Sequence, residues 1–125
     1  MKRTWFHNFR YAGNGIRDTF RTERNFRFHV FAALSVLATG WYVGISRPEW
    51  LWIVLAIVLV LVTELLNTAL ESVVNLVSPV PNPLAKKAKD AAAAAVLCSA
   101  LFALVVAVLI FGPRIIAYFH GGAAT

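Results

Sequence analysis

Apolar residues dominate three long stretches of the chain, and the polar residues gather between them and at one end. Residues 50–62 are apolar without a break, and the helix they predict runs on into a stretch that becomes polar on one side only. At 100° per residue, Glu64, Asn67, Thr68, Glu71 and Asn75 fall within about 60° of a common line. Leu65, Leu66, Ala69, Val73 and Leu76 keep the opposite face apolar. Two carboxylates therefore stand where a membrane helix approaches water, a costly placement that usually carries function.

The flanking stretches complete the pattern. Residues 4–22 predict a surface helix, with Phe6, Phe9, Gly13, Ile16 and Phe20 recurring every three or four positions and arginines on the other faces. An aromatic stripe opposed by arginines suits a helix lying in the membrane interface. The first span is expected over about 28–45, with Trp41 and Tyr42 as the aromatic belt at its far end. The second helix is expected over 48–77, with Pro48 as an early helical residue. At 1.5 Å per residue it reaches roughly 45 Å, more than a hydrocarbon core of about 30 Å, so its last turns emerge. The proline-rich loop at 78–83 follows, and Asn82-Pro83 reads as the start of a third helix over 83–111. Gly112-Pro113 is expected to end or kink that helix, and residues 121–125 to form a loose tail. The alanine run at 91–95 would let a neighbouring helix approach closely. The reading is an all-α membrane protein: a single domain over 1–125, with three transmembrane helices, an N-terminal amphipathic surface helix and a homo-oligomer to complete the packing.

Composition supports a membrane class: of 125 residues, 59% are hydrophobic and 14% charged. The net charge of +6 would admit nucleic acid, but ten of the twelve Lys and Arg lie in 2–27 and 86–89, beside the apolar spans. That is the positive-inside signature, and no recognised nucleic-acid module accompanies it. It places the N-terminus and the 78–90 loop in the cytoplasm, and three spans put the C-terminus outside. Cys98 is the single cysteine, so no internal disulfide forms, and it reads as a small packing residue. Residues 1–27 carry Asp18 and Glu23, unlike a short basic leader, so the first span reads as an uncleaved anchor.

This topology gathers Glu23, Glu64, Glu71, Lys89 and Asp90 at the cytoplasmic end. Glu64 and Glu71 stand two turns apart, roughly 10 Å along the axis. A carboxylate at the boundary suits proton abstraction from a lipid hydroxyl, and one nearer water suits a hard cation held through oxygen. Lysines nearby would offset phosphate charge, as phosphoryl transfer requires. Two other readings fit the same residues. One is a structural ion pair at Glu64, for which His29 is the single basic candidate at that depth and reads better as a satisfied interfacial histidine. The other is an oligomeric channel with acidic rings at Glu64 and Glu71.

The segment Glu64-Leu65-Leu66-Asn67-Thr68-Ala69-Leu70-Glu71, followed by Ala88-Lys89-Asp90, resembles the signature of the bacterial diacylglycerol kinase and undecaprenol kinase family. The stretch from Thr22 to His29 also resembles the family, especially its undecaprenol kinase branch. The resemblance runs from about Phe9 to Leu97. It implies small homotrimers of the bacterial inner membrane that use ATP and Mg²⁺ to phosphorylate a lipid alcohol at the cytoplasmic face. Undecaprenol is the expected acceptor and diacylglycerol the runner-up. By motif position the resemblance makes Glu64 the general base with Asn67 beside it, and Glu23 and Glu71 the Mg²⁺ ligands. Nucleotide contacts would come from Tyr11, Glu23, Glu71, Lys89 and Asp90, and lipid contacts from Asn25, Arg27 and Asn67. Asn75 departs from the usual Asp, and Asn82 stands near a frequent His, departures that bear on nucleotide affinity.

Overall fold

A computed structural model describes residues 4–121. Lys2 and Arg3 of the basic block and residues 122–125 of the expected tail lie outside the described residues. Four helices follow in order: α1 (Trp5–Thr22), α2 (Arg24–Val43), α3 (Arg47–Val77) and α4 (Pro83–Gly121). The last three are each long and apolar enough to cross a membrane.

A single extended residue, Glu23, separates α1 from α2. Its N–H closes α1 on the Thr19 carbonyl at 2.8 Å, and its own carbonyl accepts from Arg27 N at 3.2 Å to start α2. Helix ends leave carbonyls without partners, and here Arg27 supplies donors. Its Nη1 donates to the carbonyls of Phe20 at 2.9 Å and Arg21 at 2.8 Å. Phe26 is fully buried at the joint, and the rings of Phe20 and Phe31 meet at 6.2 Å. The bend therefore has a definite direction, and Glu23 sits at its apex.

At the other end of α2, Gly44 takes the left-handed conformation (φ 69°) and closes the helix on Gly40. Ser46 then caps α3 in a reciprocal box with Glu49, with Pro48 in the first turn. Gly40 is buried because α3 passes close: a Cβ there would lie 3.0 Å from Trp50 Cη2 and 3.1 Å from Ile45 Cδ1. Arg114 of α4 donates to both Glu49 oxygens, at 2.7 and 2.9 Å, which ties the head of α3 to the far part of α4.

The core lies between α3 and α4, where Ile53 and Ala56 meet Val106 and Ile110, with Ile45 and partly buried Trp50 and Phe102 around them. Along α3 the buried positions are Ile53, Ala56, Val60 and Glu64, at spacings of three and four, so the apolar seam ends directly in a carboxylate. The polar stripe points inward: Asn67, Thr68 and Glu71 are half-buried, whereas Leu66, Val73 and Leu76 are exposed at 63%, 55% and 82%. Apolar outside and polar inside is the arrangement a helix takes in lipid. The accessible surface is 9781 Å², against about 6,600 Å² for a compact soluble monomer of this mass.

Two expectations need correction. The third apolar helix does not stop at Gly112-Pro113 but continues through Pro113 to Gly121. Proline disturbs the carbonyls one turn before it, and Arg114 Nη1 donates to that of Ile110 at 2.6 Å, which supports the helix across the break. Cys98, read as a packing residue, lies exposed on α4.

Candidate active site

Antiparallel passage of α2 and α3 sets the early part of α2 beside the later half of α3. Glu64 is 4% exposed, and its Oε1 lies 3.3 Å from His29 Nε2. Sequence favoured an interfacial histidine without that partner. The structure pairs the two because the short turn at 44–46 sends α3 back along α2, which brings residue 29 level with residue 64. The charges of Glu23, from the α1–α2 joint, and of Glu71, two turns along α3, also act on Glu64. The direct contact at this point is thus one carboxylate with one imidazole, and the other two carboxylates act on it through their charge.

Asn67, nearly one turn beyond Glu64, has a buried Oδ1 without a hydrogen-bond partner among the described residues. A buried acceptor left unpaired is costly, and this atom is open to a further donor. Glu71 is half-buried and nearer the helix end. One further turn along, Asn75 Oδ1 accepts from Lys89 Nζ at 2.5 Å, which fixes α4 against α3. Asp90 is held by Lys86, also at 2.5 Å. A cavity of about 1010 Å³ opens here, lined by Val74, Asn75, Asn82, Lys86, Lys89 and Asp90. It lies at the α3–α4 loop, not at Glu64. Along α3 the two centres are about 16 Å apart, with Glu71 between them.

The remaining expected residues are more scattered. Tyr11 is 54% exposed on α1. Asn25 is exposed in the first turn of α2, and Arg27 has the structural task of capping α1. Among the described residues no group of three or more His, Cys, Asp or Glu forms a ready metal cage. The donor set nonetheless fits Mg²⁺, which takes one or two carboxylates and fills its shell with water and phosphate oxygens. Glu23 and Glu71, whose charges both act on Glu64, are hard donors of that kind.

His29 is the residue that sequence reasoning undervalued. The available signal was that it is the one basic side chain level with Glu64.

The model of the family described as prokaryotic diacylglycerol kinase matches residues 10–111. The undecaprenol kinase of Bacillus subtilis (strain 168) is 48% identical over 111 residues, which cover 89% of this chain and 90% of that protein. A diacylglycerol kinase of Synechocystis sp. is 44% identical over 100 residues, covering 79% of this chain and 57% of that protein. The diacylglycerol kinase of Escherichia coli (strain K12) is 29% identical over 95 residues, covering 76% and 78%. The two-part motif on α3 and α4, the inward carboxylates and these matches agree: the chain belongs to the prokaryotic diacylglycerol kinase family and is a kinase.

Proposed function

We propose that the protein transfers the γ-phosphoryl group of ATP to the hydroxyl of undecaprenol, giving undecaprenyl phosphate at the cytoplasmic face of a bacterial inner membrane. The observation that carries this reading is the buried Glu64 carboxylate at the end of an apolar membrane seam. The 48% identity to an undecaprenol kinase favours a prenol over a glyceride. For a member of a kinase family, the acidic-ring channel considered from sequence is set aside.

Each residue then has a task. Glu64 accepts the proton of the lipid hydroxyl as its oxygen attacks the γ-phosphorus, because it is the deepest carboxylate and the one a lipid reaches. Asn67 offers its unpaired oxygen to a donor on the substrate side and orients the acceptor. Glu23 and Glu71 would hold Mg²⁺, which neutralises phosphate charge when bound. Lys89 and Asp90, beside the large cavity, bind the nucleotide, with Tyr11 contributing from α1. Asn25 contacts the lipid headgroup region, and Arg27 does so in addition to capping α1.

The same reading covers the assembly. The N-terminus and the α3–α4 loop are cytoplasmic and the C-terminus is extracytoplasmic. Helix α1 lies in the interface, with Trp5, Phe6 and Phe9 exposed at 75% or more. Three copies complete the packing of one membrane-embedded kinase domain per chain.

The test is transfer of labelled γ-phosphate from ATP to undecaprenol in vesicles containing the purified protein. Label should appear in the lipid, stop with a chelator and return with Mg²⁺. ATP turnover that leaves the lipid unlabelled would overturn the proposal.

A further inference from the structure

Among the described residues, the buried polar side chains are Thr19, Glu64 and Ser99. Thr19 and Ser99 donate to carbonyls of their own helices, Gly15 at 2.8 Å and Ala95 at 3.0 Å. Glu64 instead meets a side chain from another helix, with His29 Nε2 3.3 Å from its Oε1. The two are unequally exposed: 6% for the Glu64 side chain and 22% for the His29 side chain. The carboxylate is almost fully enclosed, and the imidazole beside it is partly open.

We propose that His29 is the positioning residue for Glu64 and the relay through which its proton leaves. This rests on the reading of Glu64 as the base. With its Nε2–H turned toward Oε1, the neutral imidazole orients the carboxylate and leaves Oε2 for the lipid hydroxyl. During transfer the lipid O–H bond breaks and its proton goes to Glu64. The lipid oxygen bonds to the γ-phosphorus as the bond from that phosphorus to the bridging oxygen breaks, and ADP takes the electron pair. Glu64 is then neutral and must lose its proton before the next turnover. A half-turn of the protonated carboxyl brings its O–H to His29, whose resting proton exchanges from Nε2 to Nδ1 through water. Nε2 then accepts the Glu64 proton and the imidazolium releases the Nδ1 proton to water, which leaves Nε2–H facing the ionised carboxylate again.

The surroundings of His29 fit this task. A cavity of about 90 Å³ adjoins it between α2, α3 and α4, and α4 presents Ala103 and Ala107 there, which carry no charge. The other charged groups acting on Glu64 are Glu23 and Glu71, both carboxylates. The same cavity makes the relay testable by replacement: truncating His29 enlarges a space between apolar walls, and such spaces accept small ring molecules.

The experiment uses the full chain in undecaprenol-containing vesicles and compares His29→Gln, His29→Ala and Glu64→Gln. Glutamine retains a hydrogen-bonding side chain and does not relay a proton. Losing the residue that supports a metal ligand typically costs about 10–100-fold, and His29→Gln, which removes the support of a base, should lose a comparable factor in kcat with KM for Mg-ATP unchanged. His29→Ala should lose a similar amount and recover part of it as imidazole is added, with saturation. A merely structural histidine would give neither the kcat-only loss nor the rescue. Full turnover in His29→Gln with Glu64→Gln inactive would overturn the relay alone, and so would a loss confined to KM or a folded His29→Ala indifferent to imidazole. Full turnover in Glu64→Gln would overturn both the relay and the base on which it rests.

Discussion

Glu64 and Glu71 share one face of α3, yet the account gives them different work, and replacing each by glutamine separates the two. Glu64 is 4% exposed and in contact with His29, with the negative charges of Glu23 and Glu71 acting on it. Glutamine has the same shape and no charge, so Glu64→Gln removes a repelled, poorly hydrated carboxylate without opening a cavity. Thermal stability in detergent should therefore hold or rise. Mg-ATP affinity should also hold, since the residue lies about 16 Å along α3 from the level of the nucleotide cavity. Turnover should fall by about 10²–10⁴, the usual range for one general base, equivalent to roughly 3–5 kcal/mol of transition-state stabilisation. Glu71→Gln should instead weaken Mg-dependent nucleotide binding, and raised Mg²⁺ should recover part of the activity, because a lost ligand lowers occupancy. Titration calorimetry with Mg-ATP, together with lipid phosphorylation at several Mg²⁺ concentrations, measures both quantities. Loss of nucleotide affinity in Glu64→Gln with loss of turnover alone in Glu71→Gln would reverse the assignment. Retained turnover in both would refute the mechanism.

Three further predictions test the scaffold and the nucleotide end. Gly40→Val should destabilise the protein by about 1–3 kcal/mol, because its Cβ would meet Trp50 Cη2 at 3.0 Å. Unfolding in denaturant should show an earlier midpoint, and an unchanged one would mean that α2 shifts freely from Trp50. Glu49→Arg and Arg114→Glu should each lower thermal stability, and the double exchange should recover part of the loss, since the pair is bidentate and joins α3 to α4. Additive losses in the double variant would argue against the pair. Asn75→Asp should raise KM for Mg-ATP, because a carboxylate would compete with phosphate for Lys89. An exposed pair is worth up to about 1 kcal/mol, or roughly fivefold in affinity, and a fall in KM would contradict this role for Asn75.

Much of this arrangement is legible in the chain because it is local. Pro48, Asn82 and Pro83 mark helix starts through their own backbone chemistry, and the stripe from Glu64 to Asn75 follows from helical spacing alone. The inward direction of that stripe from Glu64 to Glu71 comes from the structure, and Asn75 at its end is exposed. What the sequence does not show is pairing across helices. His29 and Glu64 are 35 positions apart; the short turn at 44–46 sets their common depth, but which faces of α2 and α3 meet is something no periodicity reveals. Glu49 and Arg114 meet across 65 positions for a similar reason, and their bond accompanies an α4 that outlasts Pro113. The Lys89–Asn75 contact closes a loop whose prolines announce a turn but not its width. Arg27 was legible as a basic residue near the interface, but not as the cap of α1, because that role needs the direction of the bend.

The central claim is that the seam ending at Glu64 delivers a prenol hydroxyl to ATP. The most direct measurement offers the purified protein equal amounts of undecaprenol and diacylglycerol in one vesicle preparation with γ-labelled Mg-ATP, and separates the labelled lipids. The account predicts that label accumulates in undecaprenyl phosphate in preference to phosphatidic acid. Label in phosphatidic acid alone would contradict the assigned acceptor, and label in neither lipid, from folded protein, would contradict the kinase site itself.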